Sequence, residues 1–365
     1  MWLFALVLAA CCAAQAQWDL EDSHSAADLR GIDNVGAGVA WASGTNGTVL
    51  RTEDGGDLWQ SCAIPPGAEH LDFRGIQAFD ANTAIVMSSG KGDLSRLYKT
   101  TDGCHTWKLV FTNPDKDGFW DAVKFKRPSD YPNGETSAVI LGDPVGGSFV
   151  IEDSADGGAT WQKESLPPSL PAEGAFAASN SALFSEWEDG IELFGTGGPN
   201  GTRLFVSCDP CTTKPFLNES WYGQTMPMFG SGTSVGIFSI AANLIGPSVT
   251  YVAVGGDFSK PDALGIAAFS KKWLHWNVSQ TPPHGYRSAV AYDAATKTWI
   301  TVGPNGTDIS TDDGRNWRAL HPDPTFNQPP DADRDWNALS LPFVVGPHGR
   351  IGKLNTKALA QNESK

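Results

Sequence analysis

The sequence is short of charge and of long apolar runs. Only 18% of its 365 residues are charged, and 26 Lys and Arg stand against 41 Asp and Glu, for a net charge of −15. Phosphate backbones bind to basic surfaces, so the composition excludes a nucleic-acid partner. After residue 10, no stretch has the length to span a bilayer or the periodicity of a long helix. We therefore expect an acidic protein with little helix and no transmembrane segment.

Motifs that hold a cofactor are also missing. No glycine-rich phosphate loop or dinucleotide fingerprint lies between a strand and a helix, because the glycine-rich turns lead from one strand pattern to the next. The seven histidines do not have the spacing of a zinc site. We predict neither a cofactor nor a metal.

The N-terminus has the pattern of an export signal. Trp2 to Ala10 is apolar and is followed by small residues that end in Ala14-Gln15-Ala16. This pattern predicts a signal peptide over residues 1–16 and a secreted, extracellular protein. Leu8-Ala9-Ala10-Cys11 also matches a bacterial lipoprotein cleavage site. A lipid-anchored or periplasmic form therefore stays open as the alternative.

Four cysteines follow the signal peptide, and an even number in an exported chain suggests disulfides. Cys208 and Cys211 would close a small local loop, and Cys62 would pair with Cys104 between neighbouring repeats. The Cys-x-x-Cys spacing also occurs in redox proteins, where a helix N-terminus lowers the pKa of one thiol. No such helix is expected here, so we interpret the pair as structural.

Six Asn-x-Ser/Thr sequons are candidate N-glycosylation sites on surface loops in a eukaryotic host. They lie at Asn46, Asn200, Asn218, Asn277, Asn305 and Asn362. Three of them are Asn-Gly pairs, which also favour hairpin turns. The two interpretations are compatible.

The pattern Ser/Thr-x-Asp-x-Gly-x-x-Trp recurs along the chain, with Cys104 in place of the glycine in one copy. Within it, the Asp can accept backbone N–H bonds, the glycine permits a positive φ, and the Trp anchors the loop by burial. We therefore predict structural turns rather than catalytic or metal-binding carboxylates. The residues concerned are Asp54 and Trp59, Asp102 and Trp107, Asp156 and Trp161, and Asp312 and Trp317.

These repeats predict an all-β fold, a seven-bladed β-propeller with four short antiparallel strands in each blade. The inner strands are expected to begin near residues 29, 73, 119, 175, 237, 286 and 336. The seventh unit stops at its third strand, Arg350 to Leu354, and Trp18-Asp19-Leu20 can supply the missing outer strand. Pairing of the N- and C-terminal segments would then close the ring. We expect a monomer in which the propeller spans residues 17–356 and a flexible tail covers 357–365.

The repeated motif resembles the Asp-box, or bacterial neuraminidase repeat, of sialidases, sortilin-type receptors and other propellers. Over residues 17–356, the order of Phe-Arg-Gly, Glu-Gly-Ala-Phe, Val-Gly-Gly-Asp and Tyr-Arg-Ser-Ala-Val resembles exported propellers related to photosystem II assembly factors. Such chains are often loosely labelled oxidoreductases or glycosyl hydrolases. The resemblance implies the propeller fold and a binding scaffold, and it implies no settled reaction.

In a propeller, the starts of the inner strands and the second-to-third-strand loops meet on one face around the central channel. Three arginines expected there could clamp a carboxylate, sulfate or phosphate. Alternatively, each arginine pairs with a carboxylate of the next blade and locks the ring. The expected ligand-binding residues on this face are Arg30, Arg74, Arg287, Trp120, Asp121, Lys260, Asn305 and His348.

The leading interpretation is a non-catalytic scaffold that binds a protein, or an anionic or carbohydrate ligand, on this face. The alternative is a carbohydrate-active hydrolase, sialidase-like or another glycosidase, which needs correctly spaced carboxylates. Its candidate catalytic residues are Asp143, Glu173, Asp257 and Tyr286. The Phe/Tyr-Arg-Ile-Pro signature of sialidases is absent, since Phe73-Arg74-Gly75-Ile76 departs from it.

Overall fold

Seven four-stranded antiparallel sheets make up the structure, which is a computed structural model. It describes residues 17–126, 137–164, 166–186, 190–208, 221–245, 249–321, 329–356 and 359. The predicted signal peptide, the sequons at Asn218 and Asn362, Cys211 and all of the predicted tail but residue 359 lie outside the described residues. The sheets are the blades of a seven-bladed β-propeller, so the predicted fold class is confirmed.

Blades 1 to 6 each use four consecutive strands of the chain. The strands of blades 1 and 2 are β2 (Leu29–Gly36), β3 (Val39–Gly44), β4 (Val49–Thr52), β5 (Gln60–Ser61), β6 (Phe73–Ala78), β7 (Ala84–Ser88), β8 (Arg96–Thr100) and β9 (Lys108–Thr112). Those of blades 3 and 4 are β10 (Trp120–Phe125), β11 (Ala138–Val145), β12 (Ser148–Ser154), β13 (Gln162–Lys163), β14 (Leu183–Glu186), β15 (Ile191–Gly195), β16 (Arg203–Cys208) and β17 (Trp221–Thr225). Those of blades 5 and 6 are β18 (Val235–Asn243), β19 (Thr250–Asp257), β20 (Ile266–Ser270), β21 (Asn277–Val278), β22 (Ala289–Asp293), β23 (Thr298–Gly303), β24 (Gly306–Ser310) and β25 (Arg318–Ala319).

Helical structure in the described part of the chain is limited to a few residues, including residues 356 and 359 near the C-terminus. Single 3₁₀ turns cover Gly92–Leu94, Asn180–Ala182 and Pro227–Phe229. No helix among the described residues has the length and apolar character needed to cross a membrane.

The seventh blade is built from both ends of the chain. Its first three strands are β26 (Ala338–Ser340), β27 (Phe343–Val345) and β28 (Ile351–Leu354), and its outer strand is β1 (Trp18–Glu21). Strands β1 and β28 pair antiparallel, with Trp18 opposite Leu354. The Trp18 indole is buried, and its Nε1 donates to Thr307 Oγ1 of blade 6 over 2.9 Å. The predicted closure by the two chain ends is confirmed.

Apolar side chains pack between neighbouring blades rather than in one central core. Among the described residues there are seven such clusters, one for each interface between blades. The cluster between blades 6 and 7 contains Trp18, Ile300, Trp336 and Val344. Each blade is therefore stabilised by burial against its two neighbours, and an unclosed ring would expose two of these surfaces.

The inner strand of blade 4 begins later than predicted, at Leu183 rather than near residue 175. Gly174 still pairs with Gly197 of its own blade, and residues 175–182, here the crossing segment, then run across the channel. The Asn180 side chain accepts a hydrogen bond from Val123 N and donates to Ile76 O, so this segment bridges blades 3 and 2. The chain therefore leaves its own blade between Gly174 and Leu183, and the alternation of apolar residues did not reveal this interruption.

The four loops that carry the repeated motif share one hydrogen-bond pattern. In the first loop, the Thr52 hydroxyl donates to Asp54 Oδ1 and accepts from Gly56 N over 3.0 Å. Asp54 Oδ1 also accepts from Leu58 N over 3.0 Å. The same bonds recur in the loops around Asp102, Asp156 and Asp312. We call residues 52–59, 100–107, 154–161 and 310–317 the Asp-turn loops.

The backbone and tryptophans of the Asp-turn loops also follow the expectation. The glycine position has a positive φ in every copy, including φ 65° at Cys104, where an L-residue is disfavoured. Trp161 is half-buried, and the other three tryptophans of these loops are buried. The carboxylates thus serve the turns. For Asp156, hydrogen bonds led by the Thr160 hydroxyl lower the pKa to about 2.

A disulfide joins Cys62, just after the outer strand of blade 1, to Cys104 in the Asp-turn loop of blade 2. Their Cα atoms are 5.3 Å apart. The predicted pairing between neighbouring repeats is confirmed. The Cys208–Cys211 pairing stays a prediction, because Cys211 and the Cys208 side chain lie outside the described residues.

Replacing Trp18 with alanine should destabilise the whole ring. The change removes a buried indole and weakens the strand that closes blade 7, so we expect a loss of about 3–5 kcal/mol in the free energy of unfolding. Urea unfolding followed by tryptophan fluorescence measures it. Leu20→Ala on the same strand is the control, since Leu20 is 41% exposed. Equal stability of the two variants would show that β1 does not close the ring.

Replacing Ser154 with alanine should destabilise an Asp-turn loop. Its hydroxyl accepts from Gly158 N over 2.8 Å, and an orphaned N–H costs roughly 1–3 kcal/mol. Asp156→Ala should act in the same direction and leave ligand binding intact. Thermal melts against the exposed Ser61→Ala test this. A loss of binding without a loss of stability in Asp156→Ala would overturn the structural interpretation.

Candidate functional site

Four inner strands carry a β-bulge close to their start. In blades 1, 2, 3 and 5, the pairing with the next strand skips one residue, and such a bulge re-aims the skipped side chain. The skipped residues, here the bulge residues, are Arg30, Arg74, Asp121 and Phe238. They lie on the face of the ring where the inner strands begin, which we call the mouth. The fold thus brings equivalent positions of distant repeats to one place.

Arg30 and Arg74 share the carboxylate of Asp72. Arg74 Nε donates to Asp72 Oδ2 over 2.8 Å, whereas Arg30 Nε lies 3.9 Å from Asp72 Oδ1. Arg30 Nη2 is 3.8 Å from Asp28 Oδ2, which is also beyond hydrogen-bond distance. Arg30 Nε is buried without a hydrogen-bond partner among the described residues. About a third of each arginine side chain is exposed, so both keep donors available to a ligand.

Asp121 interacts with Arg74 and has a second carboxyl group, Asp143, as its neighbour. Asp121 is buried, and its Oδ2 has no hydrogen-bond partner among the described residues. Burial and the neighbouring Asp143 raise the pKa of Asp121 well above its ordinary value, against the attraction of Arg74. Burial also raises the pKa of Asp143 to about 6, although its Oδ1 accepts from Ala175 N over 3.0 Å. Asp143 therefore favours the uncharged form in mild acid, and the pKa of Asp121 is shifted in the same direction.

A hollow of about 660 Å³ opens beside Asp143. Its walls are the turn after β11, residues 169–176 and the turn after β15, and Phe176 and Thr233 lie at its edge. Glu173 also lines it, but this carboxylate accepts from Thr196 Oγ1 over 2.5 Å and from Arg203 Nε over 2.9 Å. Glu173 is thus a buried ion-pair partner rather than an available acid.

The crossing segment forms a floor under the mouth. Arg74 Nη1 donates to Ala177 O over 3.3 Å, and the hydroxyls of Ser181 and Ser239 are 2.8 Å apart. The contact with Ser239 connects the crossing segment to blade 5, in addition to blades 2 and 3, which Asn180 contacts. A smaller cavity of about 330 Å³ borders the segment and is lined by polar residues of the inner strands, among them Gln77 and Lys124. The mouth is therefore a shallow bowl rather than an open pore.

The prediction that Arg287 contacts a ligand is wrong. Arg287 is fully buried, its Nε donates to Asp308 Oδ2 over 2.7 Å, and its Nη2 also donates to that oxygen. Its Nη1 donates to Asn305 Oδ1 over 2.5 Å, and its Nη2 contacts His284 Nδ1 at 2.8 Å. Arg287 therefore has a structural role, but it pairs with a carboxylate on strand β24 of its own blade rather than with one of the next blade, as the alternative above assumed.

Trp120 and Tyr286 are also too buried for the roles predicted for them. The Trp120 ring is enclosed between blades and stacks on Phe111 at 5.3 Å between centroids. Tyr286 is buried against the edge of Phe238, and burial raises the pKa of its phenol. A raised pKa disfavours the phenolate, so Tyr286 does not suit a nucleophile.

Asp257, Lys260 and His348 lie on loops of the mouth. The hydroxyls of Ser234 and Ser259 each donate to Asp257 over 2.6 Å, and together they lower the pKa of Asp257 to about 2. Asp257 therefore stays ionised and cannot supply a proton. Lys260 Nζ lies 3.3 Å from Asp257, and Lys260 and His348 are exposed, so these two stay predicted ligand contacts.

The described sequons differ in accessibility. Asn46, Asn200 and Asn277 are exposed, although the Asn200 Nδ2 donates to Pro171 O over 2.8 Å. Asn305 is different, because its Oδ1 accepts from Arg287 and its Nδ2 faces His284 O at 3.5 Å. Its amide is thus part of the Arg287 cluster, which conflicts with both a ligand contact and a glycan at Asn305.

Several residues of the mouth were missed from the sequence. Asp28 and Asp72 each precede a bulge arginine by two positions, and this repeated spacing was a signal that could have found them. Phe176 and Phe258 gave no comparable signal, because each belongs to a loop whose position depends on a neighbouring blade. Among the described residues, no three His, Cys, Asp or Glu side chains form a metal-binding group.

Comparisons with known proteins agree with the class of protein that the fold defines. No family model matches the chain. YCF48 bound to D1 peptide aligns over 94% of this chain and 98% of its own, with a TM-score of 0.60 and 16% identity. YCF48 from Cyanidioschyzon merolae aligns over 94% of this chain and 100% of its own, with a TM-score of 0.60 and 18% identity. At these identities the likeness shows the seven-bladed propeller fold.

Xyloglucanases form the second group of similar proteins. The GH74 xyloglucanase from Xanthomonas campestris aligns over 93% of this chain and 54% of its own, with a TM-score of 0.52 and 16% identity. A xyloglucanase of Hypocrea jecorina (strain QM6a) is 24% identical over an alignment of 253 residues that covers 63% of this chain. The chain spans only 27% of that enzyme.

Asp143 should make stability depend on pH. Its pKa is raised from 3.8 to about 6 by burial, so the folded protein binds more protons than the unfolded chain between these values. Its contribution is full below pH 3.8 and is lost as the pH rises through about 6, by on the order of 2 kcal/mol. Asp143→Asn should flatten this part of the profile in thermal melts from pH 4 to 7. Parallel profiles for the two proteins would contradict the shift.

Proposed function

We propose that this protein is a binding scaffold whose mouth holds a carboxylate-bearing segment of a protein partner through Arg30 and Arg74. The observation that carries the proposal is the state of the two guanidinium groups. They are half-buried neighbours, and Arg30 makes no hydrogen bond to either nearby carboxylate. A ligand carboxylate could accept charge-assisted bonds from both, which is the strong form of such contacts.

The floor of the mouth supports a scaffold. The crossing segment closes the way into the channel, so a partner contacts a wide bowl rather than entering a tunnel. A YCF48 structure of the same fold holds a D1 peptide, which makes a peptide a reasonable class of partner for this chain as well. Carboxylates near the arginines oppose the binding of an anion, and Asp143 opposes it least in mild acid, where it favours the uncharged form.

The proposal includes export from the cell. Residues 1–16 have the pattern of a signal peptide, and the Cys62–Cys104 disulfide suits an oxidising compartment. We also propose that the Asp-turn loops are Asp-boxes and that the exposed sequons carry glycans. The intact mass of the protein expressed in eukaryotic cells, before and after glycosidase treatment, tests both proposals. An unprocessed N-terminus would refute the signal peptide, and the absence of a mass shift would refute the glycans.

A second candidate function is a carbohydrate-active hydrolase. The raised pKa of Asp143, beside the buried Asp121 and at the edge of a hollow of about 660 Å³, is what a general acid needs. The similar xyloglucanases make xyloglucan the substrate to try. Release of reducing ends that Asp143→Asn abolishes would establish the hydrolase, and the scaffold proposal expects no release.

Removing the arginines should weaken binding without unfolding the protein. Random ten-residue peptides displayed on phage would be selected on the wild-type protein at pH 5.5, and the recovered peptides synthesised. We expect Arg30→Ala and Arg74→Ala each to weaken their binding about tenfold or more, because each removes charge-assisted bonds. Fluorescence anisotropy measures the affinities. Arg315→Ala, an exposed arginine in an Asp-turn loop, is the matched control.

The outcomes of this experiment separate the two roles of the arginines. Unchanged affinity in both mouth variants, with wild-type melting temperatures, would refute the proposed function. Unfolding of both variants would instead assign the arginines to the structural role that Arg287 has.

A further inference from the structure

A cluster of aromatic rings lies at the mouth next to the hollow. Phe176 stacks on Phe238 with 4.0 Å between ring centroids. Phe258 meets the two rings edge-on, at 6.3 Å from Phe176 and 6.0 Å from Phe238. Tyr286 also packs against Phe238, edge to face, with 4.8 Å between ring centroids. Such edge and stacked contacts are favourable beyond the area they bury, so the cluster is a defined surface rather than a loose set of side chains.

This cluster is continuous with the arginine side of the mouth. Phe238 is a bulge residue like Arg30 and Arg74, so it occupies in blade 5 the place that an arginine has in blades 1 and 2. Phe176 lines the hollow, whose acidic residue Asp143 interacts with Asp121, and Asp121 in turn interacts with Arg74. Arginines, hollow and aromatic rings thus follow one another around the bowl.

The loop that presents Phe258 is held on both sides. Phe258 N donates to Ser234 O over 3.1 Å, beside Thr233 at the edge of the hollow. Further along the loop, Tyr286 N donates to Pro261 O over 3.0 Å. Because these bonds fix the loop, the exposure of its apolar residues does not result from a frayed segment. Phe258 is 49% exposed, and Leu264 in the same loop is 68% exposed.

We propose that Phe258, with Phe176 and Leu264, forms an apolar subsite for the same partner that the arginines bind. The ligand is an extended peptide segment with a carboxylate at one end and a large aliphatic or aromatic side chain several residues away, lying across the hollow. This inference rests on the proposed function, because the cationic side defines where the carboxylate lies. Exposed aromatic residues beside a pocket are the usual anchors of a protein interface.

Charge complementarity selects a peptide of this mixed kind. A purely acidic segment would meet Asp143 and Asp257 along the bowl, which repel it in their charged forms. An apolar side chain at the Phe258 end avoids that repulsion and covers exposed rings. A carbohydrate that stacks on the rings would not need the arginines. Its binding would therefore be weakened by Phe258→Ser and not by Arg74→Ala, which distinguishes it from the peptide.

The experiment is a comparison of peptide selections. Random ten-residue phage libraries are panned in parallel on the wild-type protein, Arg74→Ala and Phe258→Ser at pH 5.5. Wild type should enrich a carboxylate residue and a Phe, Leu, Ile or Trp at a constant separation. Arg74→Ala should lose the carboxylate preference and keep the apolar one, and Phe258→Ser should do the reverse. A synthetic wild-type consensus peptide should bind Phe258→Ser about tenfold or more weakly.

Two controls keep this test decisive. Leu58→Ser removes an equally exposed apolar residue from an Asp-turn loop and should bind the consensus peptide as wild type does. Phe258→Leu should restore most of the affinity, and thermal melts confirm that Phe258→Ser stays folded. If Phe258→Ser is unstable, Leu264→Ser replaces it in the same comparison.

The results distinguish the subsite from the function on which it rests. A wild-type consensus with a carboxylate but no apolar preference, or unchanged affinity in Phe258→Ser, overturns the subsite and leaves the scaffold proposal standing. Absence of any carboxylate preference, or binding that neither Arg30→Ala nor Arg74→Ala weakens, overturns the scaffold proposal itself. A third outcome would assign the rings to a sugar: Phe258→Ser loses peptide binding, and a soluble xyloglucan oligosaccharide displaces the peptide from the wild-type protein.

Discussion

The pairing of β1 with β28 is the interaction on which the rest of the structure depends. It completes the seventh blade with the first strand of the chain and places Trp18 in the cluster between blades 6 and 7. Every blade then has two neighbours, and all seven apolar interfaces are buried at once. A closed ring also has a single axis, so the starts of seven inner strands must converge. The mouth is a consequence of that closure.

Within the mouth, the β-bulge at the start of the inner strand presents a different kind of side chain in different blades. The same bulge carries a cation in blades 1 and 2, a buried carboxyl in blade 3 and an aromatic ring in blade 5. The bowl is therefore cationic on one side and apolar on the other, with titratable carboxyl groups between them. Such an arrangement favours a ligand with two unlike ends, and the pKa of about 6 at Asp143 makes the middle of the bowl sensitive to mild acid.

Much of this fold follows from short-range patterns in the sequence. The recurrence of the Asp-turn motif and of the inner-strand starts was enough to predict seven blades. Their closure was predicted because the last unit has only three strands and an additional strand precedes the first unit. The site was harder, because it depends on contacts between repeats. Tyr286-Arg287-Ser288 looks like the triplets around Arg30 and Arg74, yet Asp308 on β24 draws Arg287 into the interior. Likewise, residues 175–182 cross the channel through bonds to blades 2 and 3 that no periodicity in their own repeat reveals.

Hydrogen–deuterium exchange of the full-length protein, with and without a saturating amount of a selected peptide, tests the central claim most directly. The account predicts slower exchange at residues 72–75, 143–147, 169–176 and 257–265, all around one end of the ring, and no change in the Asp-turn loops on the opposite face. Protection confined to the Asp-turn loops, or spread along the outer strands, would show that the converging mouth is not where a partner binds.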